Sequence, residues 1–251
     1  MNLNVLCNND EQLYSALSSV AVDEIIVEAD AFEEPVYEVI HEVGKKAAVA
    51  MPYIFRDLTF VSADGYDEVY IRSLDELEFY KDRKLVSDYG LYCMNSEAAR
   101  MLQTHGVQRM TAPVEMNQHE LRQLGCADKE IIVYGHIPMM VSAQCIHKNT
   151  GKCDMHPGIT MIKDRTGKEL PVENRCAYCY NLIYNPDPLS LAGIFDKVRR
   201  LEPEAVRINF TIENADESGR ILETFAKAAA GKQVEDPYPD FTRGHFTRGV
   251  E

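Results

Sequence analysis

The stretch from Asn4 to Pro52 reads NVLCNNDEQLYSALSSVAVDEIIVEADAFEEPVYEVIHEVGKKAAVAMP, and its rhythm decides the fold. Asn4 to Cys7, Glu24 to Glu28 and Ala47 to Pro52 are short apolar runs, the pattern of buried strands. Between the first two lies a helical pattern from about Glu11 to Val20, with Asp10 as the expected N-cap. Between the second and third, Val36, Val39, Ile40 and Val43 share one face of a helix over about Glu34 to Val43, which Gly44 ends. Strand, helix, strand in this order is the signature of βα units around a parallel sheet.

The rhythm continues outward. Further strands are expected at Glu68 to Ile71, Leu85 to Cys93, Val107 to Pro113, Glu130 to Tyr134 and Ala205 to Phe210. Helices are expected at about Leu74 to Tyr80, Ser96 to Thr104, Gln118 to Leu124, Leu189 to Leu201 and Glu217 to Ala230, and only the crossover from Arg56 to Asp67 lacks one. Eight strands with helices between them make an α/β chain with a (β/α)8 barrel of the TIM type. The doubly wound alternative lacks its fingerprint, since Asn8 and Asn9 follow the first strand where G-x-G-x-x-G would stand. The expected organisation is one barrel domain over residues 1–232 and a C-terminal tail, 233–251, packing on it through residues such as Phe241, Arg243, His245, Phe246 and Arg248.

The composition agrees with a single large globular domain: 251 residues, 45% hydrophobic and 26% charged. Lys plus Arg is 26 against 40 Asp plus Glu, a formal charge of -14, which excludes broad electrostatic attachment to nucleic acid or anionic lipid. An RNA would have to meet a local patch, with Arg199, Arg200, Arg243 and Arg248 as its candidates, or a partner protein. No apolar run reaches the roughly 18 residues of a membrane span, and Met1 to Gln12 has no signal-peptide pattern, so no membrane contact and a cytoplasmic location are expected.

One segment breaks the rhythm. From Gly135 to Pro188 the chain runs far beyond the roughly 2 to 6 residues of an ordinary βα loop, and long loops of this kind are usually functional. In a barrel such loops lie at the C-terminal mouth of the strands, where the chemistry sits. The insertion holds Cys145, Cys153, Cys176 and Cys179, spaced C-x7-C-x22-C-x2-C among turn-forming residues. Four soft thiolates can close a site for Zn or for a 4Fe-4S cluster; a disulfide or plain buried thiols are the blander alternatives. His147 or His156 could replace one ligand, but both are expected at the surface or behind the ligands, and Cys7, Cys93 and Cys126 as ordinary buried groups.

A second set of polar residues falls near expected strand ends: Glu28 and Asp30, Arg56, Arg72, Asp88 and Asn95, Glu115, His136 and Asn209. Polar groups at those ends can converge on one substrate in a barrel mouth, with Asp30 and Glu33 expected to serve a helix start instead. Ser142 has no G-x-S-x-G elbow around it, no H-E-x-x-H is present, and a thiolate that holds a metal is a poor free nucleophile.

Several motifs resemble the U-32 peptidase family, also called collagenase-like peptidases. They are Tyr134-Gly135-His136-Ile137-Pro138-Met139-Met140, Cys145, Gly151-Lys152-Cys153, Lys163-Asp164-Arg165-Thr166-Gly167, Pro171-Val172, Cys176, Tyr184-Asn185-Pro186 and Leu189-Ser190-Leu191. Asp88 with Asn95-Ser96, Ala112-Pro113-Val114-Glu115-Met116 and the tail from Phe241 to Glu251 also resemble that family's landmarks, while His136 stands where an Arg is more usual. The chain is similar to the C-terminal barrel of the longer members, which implies a second family barrel or partner protein. The family name implies peptidase activity. Other members imply oxygen-independent hydroxylation of a tRNA uridine, a ribosomal-RNA cytidine or ubiquinone, with prephenate as the apparent oxygen source for the RNA-directed ones. Carried over, the resemblance implies a 4Fe-4S cluster, rather than Zn, on Cys145, Cys153, Cys176 and Cys179. The expected substrate is an RNA base or a small aromatic compound, met by Arg56, Arg72, Asp88, Glu115 and His136 as the catalytic set. A non-catalytic metal-binding module of a larger complex is the third reading.

Overall fold

The computed structural model describes residues 1–32, 34–54, 61–125 and 128–249. Its strands are β1 (Asn2–Cys7), β2 (Glu24–Glu28), β3 (Lys46–Ala50), β4 (Glu68–Ile71), β5 (Leu85–Ser87), β6 (Val107–Thr111), β7 (Lys129–Gly135), β8 (Pro138–Ser142), β9 (Gly158–Lys163), β10 (Glu169–Arg175), β11 (Tyr180–Tyr184), β12 (Leu189–Ser190) and β13 (Ala205–Asn209). Strands β1 to β7 pair in parallel in sequence order; β13 then pairs with both β7 and β1 and closes an eight-stranded TIM-type barrel.

Helices follow most strands: α1 (Asp10–Ser18), α2 (Tyr37–Glu42), α3 (Glu76–Phe79), α4 (Ser96–Thr104), α5 (Gln118–Gln123), then α6 (Ile146–Asn149) inside the insertion, α7 (Phe195–Arg199) and α8 (Ala215–Ala229). Their starts are set by side chains that replace missing backbone partners. Asn9 rather than Asp10 caps α1, because Asn9 is extended and its side chain accepts the Gln12 N–H. Asn117 with Glu120 and Asn214 with Glu217 form capping boxes on α5 and α8. Asn95, placed above among the mouth groups, is instead the N-cap of α4.

The apolar core lies between strands and helices, where Val5, Ile25, Val49, Val69, Ile131 and Ile208 meet Leu13, Ile40, Leu102 and Phe225. The barrel interior is different. Its small apolar layer of Leu6, Ile26, Ala48, Ala50, Tyr70 and Val86 sits amid buried charges. Arg109 donates to Glu24 (2.9 Å) and Glu68 (2.6 Å), Asn4 donates to Glu130 (2.7 Å), and Thr111 donates to Glu130 (2.9 Å). The Tyr70 hydroxyl stands 2.9 Å from Glu24 and 3.0 Å from Glu130, yet has one proton to give. Burial pushes the Glu24 carboxyl up to about 7 despite Arg109, so Glu24 can carry the second proton itself.

Three elements depart from the sequence reading. Strand β5 stops at Ser87 because Asp88 caps a 3₁₀ turn, Tyr89–Leu91. The expected helix from Leu189 begins only at Phe195, since β12 first pairs antiparallel with the end of β7. The insertion is a four-stranded antiparallel sheet in the order β8-β11-β10-β9 rather than a loop.

The tail threads back over β12: Ser190 N–H donates to Thr242 O (2.9 Å), Thr242 N–H donates to Pro188 O (2.9 Å), and Phe246 is buried. Arg243 forms two 2.7 Å bonds to the Asp236 carboxylate.

Candidate functional site

The C-terminal ends of the strands carry a buried charge cluster. Arg72, just past β4, makes two bonds to the Glu28 carboxylate (2.6 and 2.8 Å) and one to Asp88 (2.7 Å). Arg207, from the middle of β13, binds the other Asp88 oxygen at 2.6 Å and donates to Asn209 at 2.8 Å. Burial alone would raise the Asp88 carboxyl, but Arg207 and Arg72 override it and hold it at about 2. Every group here is paired, as buried charge requires.

Above this layer lies an aromatic and polar roof. The Arg72 guanidinium stacks 3.8 Å from the Tyr53 ring centre, and the Tyr53 and Tyr89 hydroxyls share a 2.8 Å bond. One face of the insertion sheet completes the roof. Alternation along β10 and β11 puts Glu173, Arg175, Tyr180, Leu182 and Tyr184 on that face, and the tyrosines pack with Tyr53, Ile54 and Ile212. Arg175 donates to Asp30 (2.9 Å) and Asn8 (3.1 Å), Tyr180 donates to the other Asp30 oxygen (2.6 Å), and Tyr184 donates to Glu173. Asp30 therefore does not serve a helix start; it joins the insertion to the barrel.

Arg175 and Tyr180 pair across the β10–β11 hairpin, and the turn between them is Cys176-Ala177-Tyr178-Cys179. Asp30 thus clamps both residues that flank the C-x-x-C turn. Cys145 precedes α6 and is buried, Cys153 is exposed, and Cys176 is partly buried. The Cys176 thiol is pushed up, first by burial and then by the nearby Cys145, Cys153, Asp154 and Cys179. Cys145 is tied to the Cys176–Cys179 hairpin through Asn181, whose Oδ1 accepts the Ile146 N–H at 2.7 Å. Among the described residues, no three His, Cys, Asp or Glu side chains stand in a ligating arrangement. Four sulfurs are a donor set that suits a soft metal by its chemistry.

The other expected site residues fall elsewhere. His136 is buried behind Gly135, its Nδ1 2.7 Å from the Asn185 carbonyl oxygen and its Nε2 3.9 Å from Glu213. Gly135, at φ +145°, lets β7 approach β13 so closely that a Cβ would lie 2.5 Å from Asn209 O. Glu115 keeps one carboxylate oxygen buried without a hydrogen-bond partner. No bond joins either residue to the Arg72–Asp88 pair. Arg56, Glu33 and Cys126 lie outside the described residues. His147 is spent on Thr160 (2.9 Å) and Asn174 (3.1 Å), and Ser142 donates to Gln144 O (3.1 Å). Neither imidazole nor hydroxyl is thereby set up as a nucleophile pair.

Arg207, Arg175, Glu173 and Glu76 belong to the site but were not expected there. Inward alternation along β13 (Arg207, Asn209) carried the signal for the first. Glu76 accepts the Arg72 backbone N–H at 2.7 Å through one oxygen, while the other is buried without a partner, and burial pushes its carboxyl up to about 7.

No family model and no curated protein matches the sequence. Among solved structures, the chain is similar to the U32 peptidase Mk0906, at 12% identity and TM-score 0.49 over 85% of this chain and 94% of that one. It is also similar to a chitinase from Chromobacterium violaceum ATCC 12472, at 8% identity and TM-score 0.38 over 91% of this chain and 99% of that one. The first bears the family name that the sequence motifs resemble. At these identities neither assigns chemistry to this chain.

Proposed function

We propose that this chain binds a 4Fe-4S cluster through Cys145, Cys153, Cys176 and Cys179 and acts in the oxygen-independent hydroxylation of an RNA base or related aromatic substrate. Zinc is the alternative occupant. The observation that carries the reading is the Asp30 clamp, which fixes the C-x-x-C turn beside the charges of the barrel mouth. When bound, a cluster supplies one-electron transfer.

The chain's own residues supply the rest. Arg72, Arg175 and Arg207, each held by buried carboxylates, make a rigid, charge-compensated floor to the mouth, and Tyr53, Tyr89 and Tyr180 wall it against water. Glu76, with one uncommitted oxygen and a carboxyl near 7, takes or gives a proton at neutral pH.

Anaerobic purification with iron and sulfide analysis tests the first half. A colourless protein with zinc and no iron, or no metal after reconstitution, overturns the cluster. Nucleoside mass spectrometry on a deletion strain tests the second half, and an unchanged set of hydroxylated bases overturns the RNA assignment. Gelatin degradation by the pure protein, abolished by one substitution, would establish the peptidase reading instead.

A further inference from the structure

We infer that Asn181 is the positioning residue of the thiol site, its carboxamide fixing Cys145 relative to the Cys176–Cys179 turn. The inference rests on reading the four thiols as one binding site. Asn181 is wholly buried, two residues after Cys179, on the sheet face turned away from the barrel. Its Oδ1 accepts the backbone N–H of Ile146, the residue after Cys145, at 2.7 Å. Its Nδ2 donates to Glu173 O at 3.2 Å and to Asn174 Oδ1. Asn174, itself buried, stands 3.1 Å from the His147 ring, which reaches Thr160 on β9. One chain of polar side chains therefore joins α6, β11, β10 and β9, and every segment that carries a thiol starts or ends on it.

The chemistry requires an amide at this position. Cys145 offers no side-chain cap to α6, so the Ile146 N–H would be an orphan donor without Asn181. The opposite side of the same group must donate to two carbonyl-type oxygens, which a carboxylate cannot do. None of these bonds goes to a sulfur, so the network sets where the thiols stand without competing to ligate. Outer partners of this kind typically govern metal affinity by about 10- to 100-fold.

The test is pulse alkylation of the metal-free full chain, with each cysteine quantified by mass spectrometry. Cys145 is buried beside Asn181, while Cys7 is buried in the barrel wall and reports global loosening. Asn181→Ala should raise Cys145 labelling severalfold and leave Cys7 protected, and Asn181→Asp, whose carboxylate keeps the acceptor for Ile146 but cannot donate to Glu173 O and Asn174 Oδ1, should raise it as well. Zn2+ affinity by chelator competition should fall about tenfold or more in Asn181→Ala. Labelling of Cys145 that is unchanged in Asn181→Ala or in Asn181→Asp, or that rises only together with Cys7, would overturn the inference. If Asn181→Ala does not fold, Asn174→Ala cuts the next link and should weaken Zn2+ binding, with unchanged affinity overturning the inference. Failure of the native chain to bind Zn2+ sinks the shared-site reading separately, because the labelling still decides what Asn181 does.

Discussion

Glu76 and Cys179 each sit in a conformation or charge state that the fold alone would not choose. The Glu76 carboxyl is raised to about 7 by burial, above its ordinary 4.5. The folded chain therefore holds this proton more tightly than the unfolded one, so its contribution favours folding at low pH and is lost as pH rises from about 4.5 to about 7. Glu76→Gln keeps an acceptor for the Arg72 amide and cannot ionise. It should match the native chain near pH 4 and exceed its stability above pH 7 by at most on the order of 3 kcal/mol. Urea unfolding at both pH values checks this; a difference independent of pH would refute it. Cys179 has φ +56°, a left-handed conformation that costs a non-glycine residue about 1 kcal/mol. Cys179→Gly should therefore leave the thermal midpoint unchanged or slightly higher while weakening Zn2+ binding. A loss of both would mean that the thiol serves packing. The C-x-x-C pair was legible because its spacing is local, and Arg72 and Asp88 because they end strands. Arg207 and Glu130 were not, since charges in the interior of apolar strands contradict the usual filling of a barrel.

At the scale of elements, the Asp30 carboxylate clamps the β10–β11 hairpin to the barrel, and Asn8 takes a further bond from Arg175. Asp30 takes Arg175 on one oxygen and Tyr180 on the other, and both it and Arg175 are almost fully buried. Removing half of a buried pair is costly because the remaining charge stays desolvated, about 3–5 kcal/mol, whereas a single neutral donor is worth about 1 kcal/mol. Asp30→Ala should therefore release the hairpin, with faster hydrogen exchange across residues 171–184, and Tyr180→Phe should do so only slightly. Equal effects would mean that the tyrosines, not the clamp, hold the roof. The barrel strands were readable from their buried apolar runs. The insertion strands were not, because β8 and β9 are edges whose Met139, Met140, Ile159 and Met161 are exposed, so neither alternation nor a continuous run marks them. Only the pairing across sequence, Val172 with Thr160 and Ile183, makes them a sheet.

At the scale of the whole molecule, charge limits how this chain can meet a nucleic acid. The net charge of -14 repels phosphate at long range, so any contact must come from cations clustered on one side. Of the residues that sequence offers for such a patch, Arg199 donates to Ala228 O (2.7 Å) and Arg243 is bound to Asp236 by two bonds. Arg200 is engaged with Asp196 at 3.1 Å, although that exposed pair is weak enough to exchange for a phosphate. With Arg200 and the exposed Arg248 left, a chain that can neutralise about two phosphates should bind single-stranded RNA no tighter than the non-specific range of about 10⁻⁴ to 10⁻⁶ M at physiological salt. The slope of log K against log salt should then be no steeper than about -1.4. Fluorescence anisotropy over a salt series measures both numbers on the pure chain. Tight binding with a steep slope would reveal a basic surface that these ion pairs do not account for. Weak, shallow binding alongside a hydroxylated base lost on deletion would require a partner to deliver the RNA, with the barrel mouth left to recognise the base alone.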